Sequence, residues 1–250
     1  MFFSSLLQSH WNECMLLLHL LMMSLLLSIA YAWSRFALMM AFVLCMLLAN
    51  IFLLEEVQLF GMTVTAVEVY TIAGILALNL IQQKYGRLTA QKTIFLGFFG
   101  LLIWVVAAHF HLQYHSTRNT ETFASAYKLL FLPQGRLFMA SIIAYLISTH
   151  LEIKLFSQFQ RFFGNRWLGM RFLVTVFIVQ AVDTLTFGLI GLTGMGFDLF
   201  DILLFSYCIK CLVAVGYSPF IGLIQRLDNR RLQWILHLKS FINPQNQKLV

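Results

Sequence analysis

The sequence predicts an all-α fold, a polytopic membrane helix bundle with about seven transmembrane helices. Of its 250 residues, 60% are hydrophobic and only 11% are charged, whereas an average soluble domain is about a quarter charged. A chain with so little charge cannot cover a globule with polar surface, which excludes a soluble enzyme, a disordered chain and a DNA-binding domain. The mean hydropathy of +0.81 and the presence of only three prolines favour long membrane-spanning helices.

Seven segments are long and apolar enough to cross a bilayer, which takes about 20 residues of helix. They comprise residues 15–33, 36–54, 65–81, 94–112, 135–155, 168–192 and 202–224. The third segment is the shortest and the most polar of the seven. Residues 113–132 form the longest loop between two spans, and their polar composition predicts a short interfacial helix.

The distribution of basic residues predicts the orientation of the bundle. Most Lys and Arg residues follow the first, third, fifth and seventh spans, as Arg35, Lys84, Arg171 and Arg226 do. Because Lys and Arg accumulate in cytoplasmic loops, this pattern predicts an external N-terminus and a cytoplasmic C-terminus, which requires an odd number of spans. Residues 228–250 mix bases with apolar residues and predict an amphipathic segment on the inner leaflet, followed by a tail.

Polar side chains within the spans are the candidates for function, because each is costly in a bilayer. We select Asp183, Gln180, Lys210, Asn79, Asn50 and Glu68 as candidate substrate-binding residues; Glu152 lies near a predicted cytoplasmic end. No catalytic residue or metal ligand is selected, because the chain contains none of the common nucleotide-binding, metalloprotease or hydrolase motifs.

Asp183 and Lys210 belong to consecutive spans and lie at nearly equal depth, each about 20 Å along its helix from the intervening turn. Two interpretations of this pair remain open. The charges either neutralise each other, or they bind a ligand whose arrival rearranges them. Gln180 lies three residues before Asp183 on the same helix face, and an amide beside a carboxylate suits a planar heterocycle with several N–H donors.

Three blocks in the second half resemble the queuosine precursor transporter family, also called the vitamin uptake transporter family. The first block comprises Arg136, residues 140–145, Glu152 and Phe156; the second comprises Arg171, residues 180–184 and Phe187; the third comprises residues 207–210 and Pro219. Asn50 and the pair Tyr85-Gly86 also fit the family pattern. The resemblance covers roughly residues 50–227.

The resemblance implies a bacterial inner-membrane protein that imports a 7-deazaguanine, such as preQ0, preQ1 or queuine, for tRNA modification. Its expected partners are this small base and the lipid bilayer, with no cofactor and no nucleic acid; a coupling ion and a homo-oligomer stay open. A carboxylate can accept both N1–H and the 2-amino group of the base, while an amide meets the neighbouring carbonyl. The alternative is a substrate-binding membrane subunit of an ATP-driven vitamin uptake system, which the lack of a nucleotide motif leaves open.

The chain also departs from the family pattern. Leu78 and Asn79 stand where the family usually has Thr-Asp, Glu152 replaces an Asp, and Glu68 is interpreted as a local addition. The acid of the first half is therefore lost or moved, which leaves the exact substrate and any ion coupling open. We predict three regions: an extra N-terminal transmembrane helix (1–34), a six-helix transporter core (35–227), and a cytoplasmic amphipathic segment with a tail (228–250).

Overall fold

The computed structural model describes residues 10–53, 55–65, 67–115, 117, 121–131, 134–164, 167–193 and 199–242. Most of them are helical. The elements are α1 (Trp11–Trp33), α2 (Arg35–Ile51), β1 (Glu56–Leu59), β2 (Met62–Thr65), α3 (Glu68–Tyr85), α4 (Arg87–His111), α5 (Glu121–Phe131), α6 (Gln134–Phe163), α7 (Leu168–Phe187), a π-helical turn (Gly188–Leu192) and α8 (Leu199–Ile242).

Helices occupy each of the seven predicted spans. Five helical segments in the described ranges are long and apolar enough to cross a membrane: Trp11–Trp33, Arg87–His111, Arg136–Phe163, Leu168–Leu192 and Ile202–Ile224. The other two predicted spans correspond to α2, a shorter apolar helix of 17 residues, and α3, which has 18 residues. The helical membrane bundle is thus confirmed, whereas the number of seven crossings stays a prediction.

The polar character of the third predicted span follows from the position of α3 at the centre of the bundle. This helix contacts α1, α2, α4, α6, α7 and α8, and residues 72–82 are all buried. A helix that faces protein on every side can carry polar side chains, because neighbouring helices supply their hydrogen-bond partners. One such contact joins Tyr217 Oη in α8 to the Val69 carbonyl oxygen at 3.1 Å.

The outer helices show the opposite pattern, with apolar side chains on the surface of the bundle. On α1 the exposed face comprises Leu17, Leu18, Leu21, Met22, Leu25, Leu26 and Ile29, whereas Leu16, Leu20, Ser24 and Leu27 face inward. The residues of each face recur every three to four positions along the chain, as helical geometry requires. Such an apolar exterior is stable in lipid and would be unstable in water.

A short β-hairpin between α2 and α3 departs from the all-α prediction. Its strands pair antiparallel, and the turn residues Phe60 and Gly61 both have positive φ, as in a type I′ turn. Asn12 Nδ2 at the start of α1 donates to the Gln58 carbonyl oxygen at 2.9 Å. The second strand of the hairpin ends at Thr65, the first residue of the predicted third span, and α3 starts at Glu68. We call the end of the bundle that carries this hairpin the hairpin end.

Two further elements bear on the predicted loops and tail. The 11-residue α5 lies within 113–132, where a short helix was expected. The helix of the seventh span continues without interruption to Ile242, so no break separates residues 228–242 from it. Pro219 lies inside this helix, and residues 220–242 contain no further proline. The predicted tail from residue 243 onward lies outside the described residues.

Candidate functional site

Three charged side chains from three helices meet near the hairpin end. Lys210 Nζ in α8 donates to Asp183 Oδ2 in α7 at 2.9 Å and to Thr184 Oγ1 at 3.0 Å. The same ammonium lies 3.9 Å from Glu68 Oε2 at the start of α3, and Ser206 Oγ donates to Glu68 Oε1 at 2.8 Å. We call these five residues the charged cluster. Asp183 and Lys210, which were predicted to lie at nearly equal depth, thus form a direct ion pair.

The three charged side chains of the charged cluster differ in exposure, and their charges do not cancel. The side chains of Glu68 and Lys210 are 4% and 8% exposed, whereas that of Asp183 is 16% exposed. With both acids ionised, two carboxylates share one ammonium, which leaves one negative charge in excess. Asp183 is therefore the most exposed of the three charged groups, and Glu68 is a second carboxylate within 3.9 Å of the Lys210 ammonium.

Gln180 lies one helical turn before Asp183 and is 1% exposed. Its Oε1 has no hydrogen-bond partner among the described residues. A buried amide oxygen without a partner is costly, so it is available to a donor that enters this part of the bundle.

Asn50 lies apart from the charged cluster and links two helices. Its Nδ2 donates to the Met46 carbonyl oxygen at 2.9 Å, and its Oδ1 accepts from Ser141 Oγ in α6 at 2.8 Å. Both ends of the amide are engaged within the protein. The geometry therefore favours a packing role for Asn50, and the structure does not bring it together with the other candidates.

A second polar cluster lies farther along α3, about 17 Å from the charged cluster at 1.5 Å per residue. Asn79 Nδ2 donates to Glu152 Oε1 in α6 at 2.7 Å. One turn of α3 later, Gln82 Nε2 donates to Ser157 Oγ at 2.7 Å and to the Ile153 carbonyl oxygen at 3.0 Å. The amide of Asn79 can donate to the carboxylate of Glu152. An ionised acid at position 79 has no N–H or O–H and could not donate this hydrogen bond.

Arg171 completes this second cluster, and its position corrects the sequence interpretation. The charge count groups Arg171 with the bases around the loop after the fifth span, although it falls inside the predicted sixth span of residues 168–192; in the structure it lies within α7 and is 0% exposed. Its guanidinium lies 3.9 Å from the ring centroid of Phe156, and its Nη2 donates to Gln83 Oε1 in α3. Helix α7 already begins at Leu168, which carries Arg171 into the bundle. We call Asn79, Gln82, Glu152 and Arg171 the amide–acid cluster.

Sequence reasoning therefore found part of each cluster. Asn79 was a candidate, but Glu152 and Arg171 were not selected, although both belong to the blocks that carry the family resemblance. The signal that could have found them is this shared membership, because a charged residue within a span needs partners. Their contact with α3 depends on helix packing, which one sequence does not specify.

Comparison with known proteins identifies the family. Residues 65–224 match the profile of the family described as "Putative vitamin uptake transporter". The chain is also 26% identical over 175 residues to a protein of Bacillus subtilis (strain 168) named "Probable queuosine precursor transporter"; the alignment covers 69% of this chain and 76% of the relative. No solved structure matches the chain. The family profile spans both clusters and more than half of the residues, so the chain is a membrane transporter that belongs to the vitamin uptake transporter family.

Proposed function

We propose that the chain imports a queuosine precursor, a 7-deazaguanine such as preQ0, preQ1 or queuine, across the bacterial inner membrane for tRNA modification. The relative from Bacillus subtilis bears the name of such a transporter. The observation that carries the proposal is the charged cluster, in which Asp183 is paired yet partly exposed and Gln180 offers an amide oxygen without a partner.

The chemistry of the base matches these groups. A 7-deazaguanine presents N1–H and a 2-amino group along one edge, and a carboxylate accepts both in a bidentate contact. In our proposal the base binds Asp183 through this edge while Gln180 Oε1 accepts from the second N–H of the 2-amino group. Lys210 then moves from Asp183 toward Glu68 Oε2, which already lies 3.9 Å from its ammonium.

This exchange keeps the ammonium paired while the substrate binds. A buried charge that lost its only partner would be strongly unfavourable, so a second carboxylate lowers the cost of releasing Asp183. The excess negative charge of the cluster also favours a substrate with an ammonium group, which preQ1 and queuine carry and preQ0 lacks. We therefore expect preQ1 and queuine to be imported in preference to preQ0.

We further propose that the hairpin end faces the outside. Lys84 and Lys154 lie near the opposite end of their helices, where the positive-inside rule requires the cytoplasm. The charged cluster then lies in the external half of the bundle, where an imported base arrives, and the amide–acid cluster lies in the cytoplasmic half.

The test is restoration of queuosine in a bacterial strain that can neither make nor import its precursors. Expression of the chain, with preQ1 or queuine in the medium, should restore queuosine in tRNA. Asp183→Asn should restore much less at limiting precursor, because the amide retains only one acceptor atom.

Thr186→Val is the matched control, since Thr186 lies on the same helix and, among the described residues, its hydroxyl donates to the Val182 carbonyl oxygen alone. It should behave as the unmodified chain. If the unmodified chain reaches the membrane and tRNA queuosine stays at the level of the empty vector, the proposed substrate is wrong.

A further inference from the structure

The amide–acid cluster holds an unusual concentration of buried polar atoms without partners. Within the described residues these atoms are Asn79 Oδ1, Gln82 Oε1, Glu152 Oε2, Arg171 Nε and Arg171 Nη1. Glu152 and Arg171 are 0% exposed, and Asn79 is 2% exposed. Native proteins pair nearly all buried polar groups, so five such atoms on four side chains require an explanation.

These atoms lie on side chains from three helices, α3, α6 and α7. Asn79 in α3 donates to Glu152 in α6 at 2.7 Å. Phe156 follows Glu152 by one turn on the same face of α6, and the guanidinium of Arg171 stacks on its ring at 3.9 Å. Glu152 is held by Asn79 and Arg171 by Phe156 and Gln83, and each retains atoms without a hydrogen-bond partner among the described residues.

The atoms without partners include both hydrogen-bond acceptors and hydrogen-bond donors. Asn79, Gln82 and Glu152 each offer an oxygen that accepts, and Arg171 offers two N–H groups that donate. A ligand that satisfies both needs N–H donors and a carbonyl oxygen side by side on a flat edge. An amino-substituted lactam, such as the guanine-type edge of a 7-deazaguanine, has this arrangement.

We propose that the amide–acid cluster is a second binding site for the transported base. Glu152 Oε2 accepts hydrogen bonds from the ring N–H and the amino group, and Arg171 donates to the ring carbonyl oxygen. This inference rests on the proposed function for the identity of the substrate. The site is distinct from the charged cluster, because Arg171 and Asp183 lie about 18 Å apart along α7. The base thus passes from one cluster to the other on its way through the bundle.

The experiment measures equilibrium binding to the purified full-length protein by competition against radiolabelled preQ1. The competitors are 7-deazaguanine, 7-deazahypoxanthine, which lacks the 2-amino group, and 2-amino-7-deazapurine, which lacks the carbonyl oxygen and, with it, the N1–H. At saturation the unmodified protein should bind two molecules of preQ1 per chain, and Glu152→Gln should bind one. The remaining site of Glu152→Gln is the charged cluster.

Each contact is tested by a matched pair of variant and analogue in the Asp183→Asn background, where the amide–acid cluster dominates binding. There, loss of the 2-amino group should weaken competition about tenfold. Adding Glu152→Gln should reduce this preference to about twofold, whereas Glu152→Asp, which retains the carboxylate, should preserve most of it. Arg171→Lys should likewise reduce the preference for the carbonyl oxygen.

Thr175→Val is the packing control, because Thr175 is buried and bonds the Arg171 carbonyl oxygen at 2.7 Å without offering a free polar atom. It should leave both preferences unchanged. If Glu152→Gln does not fold, Arg171→Lys with 2-amino-7-deazapurine carries the same test.

The outcomes separate this inference from the proposed function. A protein that binds none of the 7-deazaguanines contradicts the proposed function. A protein that binds preQ1 with a stoichiometry of one and keeps its analogue preferences in Glu152→Gln and Arg171→Lys contradicts the second site alone.

Discussion

The charged cluster and the amide–acid cluster differ in how their buried charged groups are compensated. Both place polar side chains of α3 and α7 within the membrane. In the charged cluster Lys210 lies between Asp183 and Glu68, so the charges largely satisfy one another. In the amide–acid cluster Glu152 and Arg171 are more deeply buried, yet both retain atoms without partners. The difference teaches that burial of a charge and saturation of its hydrogen bonds are separate properties: among the described residues, Glu68 Oε2 is the one buried side-chain atom of the charged cluster without a hydrogen-bond partner, against five in the amide–acid cluster.

The largest expected effect concerns the sides of the membrane on which the two clusters lie. A topology reporter fused after Trp33 should be cytoplasmic, and one inserted at Thr120 should be external, because α1 begins and α4 ends toward the hairpin end. Activity of alkaline phosphatase and fluorescence of a cytoplasmic reporter give opposite signals at each site. Reversed signals would place the amide–acid cluster on the external side and overturn the proposed direction of passage.

The next largest effect is on stability in the charged cluster. Lys210→Met removes the only cation of the cluster and leaves two carboxylates close together, so it should cost about 3–5 kcal/mol of folding free energy. The measurement is the midpoint of thermal unfolding in detergent, followed by size-exclusion fluorescence.

Neutralising the partners in turn tests whether the cluster has three charged members. The double variant Asp183→Asn with Lys210→Met should remain less stable than the unmodified chain, because Glu68 keeps an uncompensated charge. Adding Glu68→Gln should recover most of the loss. Full recovery in the double variant would reduce the cluster to a simple pair.

A smaller effect separates binding from stability at Gln180. Gln180→Leu removes an amide whose oxygen has no partner in the described structure, so the unfolding midpoint should stay the same or rise. Affinity for preQ1 should fall by about 1–3 kcal/mol, since a hydrogen bond to the base is lost. A variant that loses stability but keeps its affinity would assign Gln180 to packing.

The smallest effects compare the Ser206 hydroxyl of the charged cluster with the Ser157 hydroxyl, which contacts Gln82 of the amide–acid cluster. Ser206→Ala removes a donor to the carboxylate of Glu68 and should cost about 1.5 kcal/mol of stability. Ser157→Ala removes an acceptor from the amide of Gln82 and should cost about 0.5–1 kcal/mol, since hydrogen bonds to charged groups are stronger than those between neutral groups. Unfolding midpoints measured side by side give the difference, and a larger loss for Ser157→Ala would contradict the comparison.

The sequence predicted those features that depend on position along a single helix. Asp183 and Lys210 were expected at one depth because both lie a similar distance from one turn, and their ion pair follows. Glu68 was not expected as the third member. Its place depends on where α3 begins, and the hairpin that sets this start has Phe60 rather than Asn or Asp in its turn, which is a weak turn signal.

Features that depend on contacts between distant helices could not be predicted from one sequence. Asn79 and Glu152 were both recognised as polar residues in or near spans, but only the packing of α3 on α6 makes them partners. Arg171 was counted with the loop bases because it follows Arg166 closely in the chain. A count of basic residues does not distinguish a charge at a helix start from one buried within the first turns.

Uptake of radiolabelled preQ1 into proteoliposomes that contain only this chain tests the proposed import most directly. With no nucleotide present, the unmodified protein should accumulate or equilibrate preQ1 faster than empty liposomes, and excess unlabelled queuine should abolish the difference. The variant Asp183→Asn should show slower uptake at low preQ1, with Thr186→Val unchanged. If folded protein gives the same uptake as empty liposomes, the chain does not transport this base on its own, and the proposed function is contradicted.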